Sequence, residues 1–111
     1  MHITEQDGTF TAQHVTGPTH NVLRLKIGRG KPVGFDIAVL PPVGERRHGN
    51  VLTAEEVAPA IHAGLADANA ALQSDYTILA AEVVEDDSRQ RGIYEYLTRK
   101  IIERAAESEH Y

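Results

Sequence analysis

The chain has no cysteine. A disulfide framework, a thiolate nucleophile and a cysteine-ligated metal are therefore excluded at once. Tryptophan is absent too, and the other aromatics are six scattered residues: Phe10, Phe35, Tyr76, Tyr94, Tyr96 and Tyr111. A platform on which successive single-stranded bases stack needs more of them, clustered. No long apolar run and no secretory n-region occurs, so the sequence reads as soluble and cytoplasmic, with no membrane partner. There is no internal repeat, low-complexity tract or interdomain linker. The formal net charge is -5, which disfavours a general nucleic-acid coat but leaves room for a local basic patch.

What is present suits one globular domain. Apolar residues make up 41% of 111 positions, enough for a single modest core. Residues 1–7 are polar and read as a frayed end or a short edge strand. Thr9 to Val15 alternates weakly, as a strand does, and Gly17-Pro18 marks a turn. Asn21 to Ile27 alternates more clearly. Leu23, Leu25 and Ile27 share one face, and Arg24 and Lys26 share the other. The glycine-containing stretch Gly28 to Lys31 predicts a hairpin to the next strand, Gly34 to Leu40, whose Phe35, Ile37 and Val39 face the core. Pro41-Pro42 ends that strand, and Val43 to Leu52 reads as a loop.

Thr53 through Leu72 reads as one amphipathic helix. Thr53 is a suitable N-cap, with Glu56 in the capping-box position. Val57, Ile61, Leu65, Ala68 and Leu72 form the apolar stripe. Two helix-hostile residues lie inside it. Proline in a helix interior costs roughly 3 kcal/mol and glycine roughly 1 kcal/mol relative to alanine. Pro59 cannot donate to the Glu55 carbonyl, which predicts a bend. Gly64, in a nearly bare strip with Ala60, Ala68 and Ala71, predicts close approach of another backbone. Tyr76 to Val84 is an aliphatic-rich strand, and Glu85 to Gly92 a polar loop. Ile93 to about Glu107 is a second helix, burying Ile93, Tyr94, Leu97, Ile101 and Ala105. Glu107 and Glu109 oppose the helix dipole at its end.

The order strand, strand, strand, helix, strand, helix predicts an α+β fold. It would be a two-layer α/β sandwich, a four-stranded sheet with two helices on one face and the other face partly open.

Few residues suggest chemistry. The histidines His2, His14, His20, His48, His62 and His110 do not pair at metal-ligand spacing, and His62 reads as a surface or core-edge residue. No strained Gly-x-Ser-x-Gly turn presents a nucleophile. Glu85-Asp86-Asp87 lacks the oxygen spacing of a calcium loop. Gly28-Arg29-Gly30 leads into a strand and is no dinucleotide fingerprint. No cofactor is expected. Basic residues are the better candidates. Arg24, Lys26, Arg29 and Lys31 share one predicted hairpin, Arg46-Arg47-His48 precedes the first helix, and Arg89 and Arg91 precede the second. Such side chains can neutralise phosphates, although an acidic protein also carries cations simply to solvate its surface.

Several segments resemble domain IV of translation elongation factor G and its ribosomal-protection relatives. Pro59-Ala60-Ile61-His62-Ala63-Gly64-Leu65 is similar to the family's Pro-Ala-aliphatic-x-x-Gly-aliphatic helix. Gly8-Thr9-Phe10 with Gln13 resembles its Gly-Lys-Phe strand start and following Gln. Asn21 to Ile27 resembles the strand leading on from its glycine-rich tip loop, Gly34-Phe35-Asp36 its Gly-Phe-Glu, and Ile93 to Ala106 its last helix. The resemblance covers about residues 8–106 and implies a single domain over residues 1–111, a stand-alone copy. It also implies a split β-α-β fold with a left-handed crossover, of the ribosomal-protein type.

The departures lie in the tips that the family directs at the ribosome. The first tip loop is Thr16-Gly17-Pro18-Thr19-His20, without arginine. The second, Glu85 to Gly92, is shorter than the family's and lacks its histidine. No Gly-x-x-x-x-Gly-Lys-Ser/Thr loop is present, so these residues supply no GTP site. The expected function is a non-enzymatic, translation-factor-like module that touches the ribosome or other structured RNA through Arg24, Lys26, Arg46, Arg47, Arg89 and Arg91. A protein-interaction module or homodimer without a nucleic-acid role is the alternative. Catalysis comes third, for want of a catalytic set.

Overall fold

The computed structural model describes residues 2–16, 19–30, 35–40, 53–84 and 92–108. They form strands β1 (His2–Gln6), β2 (Thr9–Thr16), β3 (Thr19–Arg29) and β4 (Ile37–Leu40), helix α1 (Ala54–Leu72), strand β5 (Tyr76–Val84) and helix α2 (Ile93–Ser108). The protein is α+β, with one mixed five-stranded sheet in the order β1-β2-β3-β5-β4. The strand beyond the expected four is β1, the short edge strand that the sequence offered as one of two readings of residues 1–7. It is joined to β2 by Asp7 and Gly8, both at positive φ (53° and 83°). A two-residue loop of that conformation has the twist a hairpin needs, and Asp-Gly is a preferred pair for it.

The predicted hairpin between β3 and β4 does not form. β3 pairs antiparallel with β5, and β4 pairs parallel with the far side of β5. The physical reason is burial. β5 carries Tyr76, Ile78, Ala81 and Val83, all buried, and takes a central place. β4 has four residues. It precedes Pro41-Pro42 in the sequence and takes the edge, where a short strand next to proline belongs. The α1 crossover therefore returns the chain to a strand directly beside the one it left.

Register sorts the sheet into two faces. On one side run the rows Ile3–Ala12–Leu23–Val83–Val39 and Glu5–Phe10–Leu25–Ala81–Ile37. Their central members are buried beneath the helices. On the other side run Thr4–Thr11–Arg24–Glu82–Ala38 and Gln6–Thr9–Lys26–Ala80. This face carries no helix among the described residues. Opposite Lys26 and Ile27, β5 holds Ala80 and Ile78, so Leu79 is one residue extra. That bulge resets the alternation and leaves Leu79 45% exposed over Gly28 on the open face.

α1 begins as its sequence predicts, with the Thr53 hydroxyl accepting from the Glu56 N–H at 3.2 Å. It runs unbroken through Pro59, which is exposed. The buried stripe is Val57, Ile61, Gly64 and Ala68. Leu72 and Ala71, expected in the stripe and strip, are exposed instead, and Leu65 is half-buried. The stripe turns toward Gly64 because α1 packs mainly on α2, and α2 in turn lies on β2 and β3. A Cβ at Gly64 would lie 2.5 Å from the Glu95 carbonyl oxygen and 2.8 Å from Thr98 Cβ. The expected close backbone approach is therefore present. All five residues predicted to line α2 are buried, with Ile102 and Thr98 in addition.

At the other end of α1, Asn69 fastens the helix to β5. Its amide donates to the Tyr76 carbonyl at 2.9 Å, and its oxygen accepts from the Tyr76 N–H at 3.0 Å and the Ser74 hydroxyl at 2.9 Å. Gln73 caps the helix in the left-handed region, at φ 54°.

Candidate binding face

Two of the six expected RNA-contacting residues lie in the described structure, and both are on the open face. Arg24 and Lys26 are separated by one residue on β3, so the period-two alternation sets them side by side. The other four, Arg46, Arg47, Arg89 and Arg91, lie outside the described residues, as does Lys31.

Arg24 is held from both sides. Its Nε donates to the Thr11 hydroxyl at 3.1 Å, and one Nη donates to Glu82 at 2.6 Å. Both side chains of the ion pair are more than a third exposed, so solvent screens it and it contributes no more than about 1 kcal/mol. Its larger effect is orientation: the guanidinium plane is fixed along the Thr11–Arg24–Glu82 row. Sequence inspection missed Glu82, which lies 58 positions away and becomes a neighbour only through the β3–β5 pairing. Lys26 is exposed and makes no ion pair among the described residues. Arg29 is at the far end of β3. It pairs with Asp75 at 2.6 Å, and its guanidinium lies 4.5 Å from the centre of the Tyr76 ring. It serves the strand end and is separate from the open face.

Beside Arg24 a shallow polar depression of about 460 Å³ is lined by Thr4, Gln6, Thr9 and Thr11, with Glu5 and Asp7 toward the hairpin turn. The face thus offers hydroxyls, an amide and two cations. It presents no Phe, Tyr or Trp among the described residues. A second hollow of about 270 Å³ on the helix side lies between Phe10, Ile27, Tyr76 and Ala105, with Arg29 at its rim. His62 rests its ring against Phe35, 4.9 Å between centroids, at the edge of the core as expected. Among the described residues no three His, Asp or Glu side chains converge as metal ligands, and no helix is long and apolar enough to cross a membrane.

No family model matches the chain, and no curated protein or solved structure is significantly similar to it.

Proposed function

We propose that this chain is a non-enzymatic, translation-factor-like module that binds structured RNA, ribosomal RNA foremost, through the open face of its sheet. One observation carries the reading: a broad sheet face, free of helices among the described residues, on which Arg24 and Lys26 stand among Thr4, Gln6, Thr9 and Thr11. Phosphates take the cations, and ribose hydroxyls take the threonines and glutamine. With no Phe, Tyr or Trp on this face among the described residues, the reading is of a helical RNA, recognised by shape and 2′-hydroxyls across its wide minor groove, over an unstacked single strand.

The resemblance to domain IV of elongation factor G supports the same reading. β2, β3, β4, α1, β5 and α2 follow the order read from the residue pattern. β5 lies between β3 and β4. The reading takes this as the family's split β-α-β arrangement with a left-handed crossover, in a cytoplasmic protein. Arg46, Arg47, Arg89 and Arg91, which lie outside the described residues, complete the set of cations in this reading.

The test is binding of the purified protein to a ribosomal RNA duplex and to a single strand of equal length, across a salt series. The duplex is expected to bind more tightly, with affinity falling as salt rises. Lys26→Ala should flatten the log–log salt slope by about 1. No association at low salt by folded protein rejects the reading.

Leu79 favours a second reading, a protein-interaction module. A large apolar side chain 45% exposed on the same face suits a protein partner better than a phosphate backbone. Capture of a partner from lysate that survives ribonuclease would select this reading over the first.

A further inference from the structure

We propose that β1 is the contact strand of a homodimer, in which two copies pair antiparallel about Thr4 to make a continuous ten-stranded sheet. The proposal is independent of the RNA reading.

β1 is the last strand on its side of the sheet, and no described strand covers its outer edge. Natural edges are protected by lysine, proline, a bulge or an inward-pointing charge. β1 is His2-Ile3-Thr4-Glu5-Gln6, and its pairing with β2 runs without a register shift. The single guard on it is Glu5.

The hairpin fixes which backbone groups face outward. Gln6 and Thr9 flank the two-residue turn, so they form the closing hydrogen-bonded pair. Hydrogen-bonded and non-hydrogen-bonded pairs alternate along an antiparallel ladder. His2, Thr4 and Gln6 therefore turn their N–H and C=O toward β2. Ile3 and Glu5 turn theirs outward, to the free edge.

A second β1 must keep the two sheet faces in phase, which centres the dyad on a residue. Centred on Glu5, two carboxylates face each other, and like charges directly opposite are destabilising. Centred on Ile3, Gln6 has no partner in the strand. Centred on Thr4, all five residues pair: His2 with Gln6, Ile3 with Glu5, Thr4 with Thr4, then the reverse. The outward groups of Ile3 and Glu5 meet those of Glu5 and Ile3 in the second copy. The result is two hydrogen-bonded pairs flanking a central Thr–Thr pair. Glu5 thus acts as a register selector, excluding one alignment and fitting another. In this dimer the Thr4–Thr11–Arg24–Glu82 row runs on into its own copy. The two Arg24 residues lie five strand spacings apart, roughly 24 Å, on the same side of the sheet.

Thr4→Cys tests the geometry directly, because the chain has no other cysteine. The Cα atoms of a non-hydrogen-bonded pair lie about 4.5 Å apart, within the disulfide range. Mild oxidation should join the variant into a covalent dimer. Gln13→Cys, one strand inward on the same face, should remain uncrosslinked. Sedimentation equilibrium from micromolar to millimolar protein should show the wild-type chain reaching twice its 12.2 kDa mass, and Thr4→Lys remaining at the single mass. A wild-type monomer throughout that range overturns the proposal, as does a dimer that persists in folded Thr4→Lys. If Thr4→Lys loses its circular dichroism signal, the cysteine pair decides. Crosslinking of Thr4→Cys alone supports the proposal; no crosslink, or equal crosslinking of Gln13→Cys, overturns it.

Discussion

Gly64 of α1 faces the main-chain carbonyl of Glu95 in α2 with no room between them for a methyl group. An added Cβ would come within 2.5 Å of that oxygen. The neighbour is backbone, so it cannot rotate aside as a side chain would. Helix propensity alone predicts that Gly64→Ala stabilises α1 by about 1 kcal/mol. The contact reverses the sign. Gly64→Ala should destabilise the protein by about 1–3 kcal/mol, and Gly64→Leu by at least as much. For a chain of this size each kcal/mol lowers Tm by roughly 4 °C. Ala66→Leu, two residues on and exposed, should stay within about 0.5 kcal/mol of wild type. Thermal unfolding of the set decides: an unchanged Tm for Gly64→Leu would contradict the tight crossing.

Asn69 makes three side-chain hydrogen bonds across the connection from α1 to β5, two of them to the Tyr76 backbone. Asn69→Ala removes all three. A loss of about 1–3 kcal/mol is expected, read as a lower urea midpoint with an unchanged m-value. Asn69→Asp keeps the acceptor but not the donor, and should fall between the two.

Glu82 holds one arm of Arg24 and brings a negative charge to the proposed RNA face. Glu82→Gln removes that charge while keeping the shape. Because the pair is exposed, stability should move by no more than about 1 kcal/mol. Duplex RNA should bind more tightly at low salt, and the gain should shrink as salt rises. Weaker binding by Glu82→Gln would mean that the carboxylate, by orienting Arg24, matters more than its repulsion of phosphate.

The β1–β2 turn depends on Gly8 for its backbone conformation. A side chain there meets no atom within 4 Å, yet φ is +83°. Gly8→Val should therefore cost stability despite the open space, by about 1–2 kcal/mol. Amide hydrogen exchange should locate the loss in β1 and β2, with α1 protected as before. Uniform loss of protection across the whole molecule would show that β1 does not open separately.

The helices were legible because their signals are local. Thr53 and Glu56 mark the start of α1, and the period of Ile93, Leu97 and Ile101 marks the buried side of α2. Gly64 could be read as a close contact, since glycine in a helix is costly unless something approaches it. The turn at Asp7-Gly8 carried an equally local signal, overlooked because residues 1–7 are polar. Their strand has little apolar content to bury, and it exists through its ladder with β2. The end of α1 misled in the other direction. Leu72 has the right period, but period alone does not say where the partner helix lies, and α2 crosses at Gly64.

The candidate face was half legible. Alternation along β3 placed Arg24 and Lys26 together on the side away from the core. What stands beside them depends on strand order, which the pattern of one strand does not encode.

By itself the sequence determined the local elements, the inward and outward sides of β3, and the exclusion of cysteine chemistry. These follow from backbone propensity and side-chain period, which act over a few residues. Only the tertiary structure decided that β5 enters between β3 and β4, that Glu82 pairs with Arg24, and that β1 forms an edge. Those outcomes depend on which strand buries the most apolar surface, a competition among segments far apart in the chain.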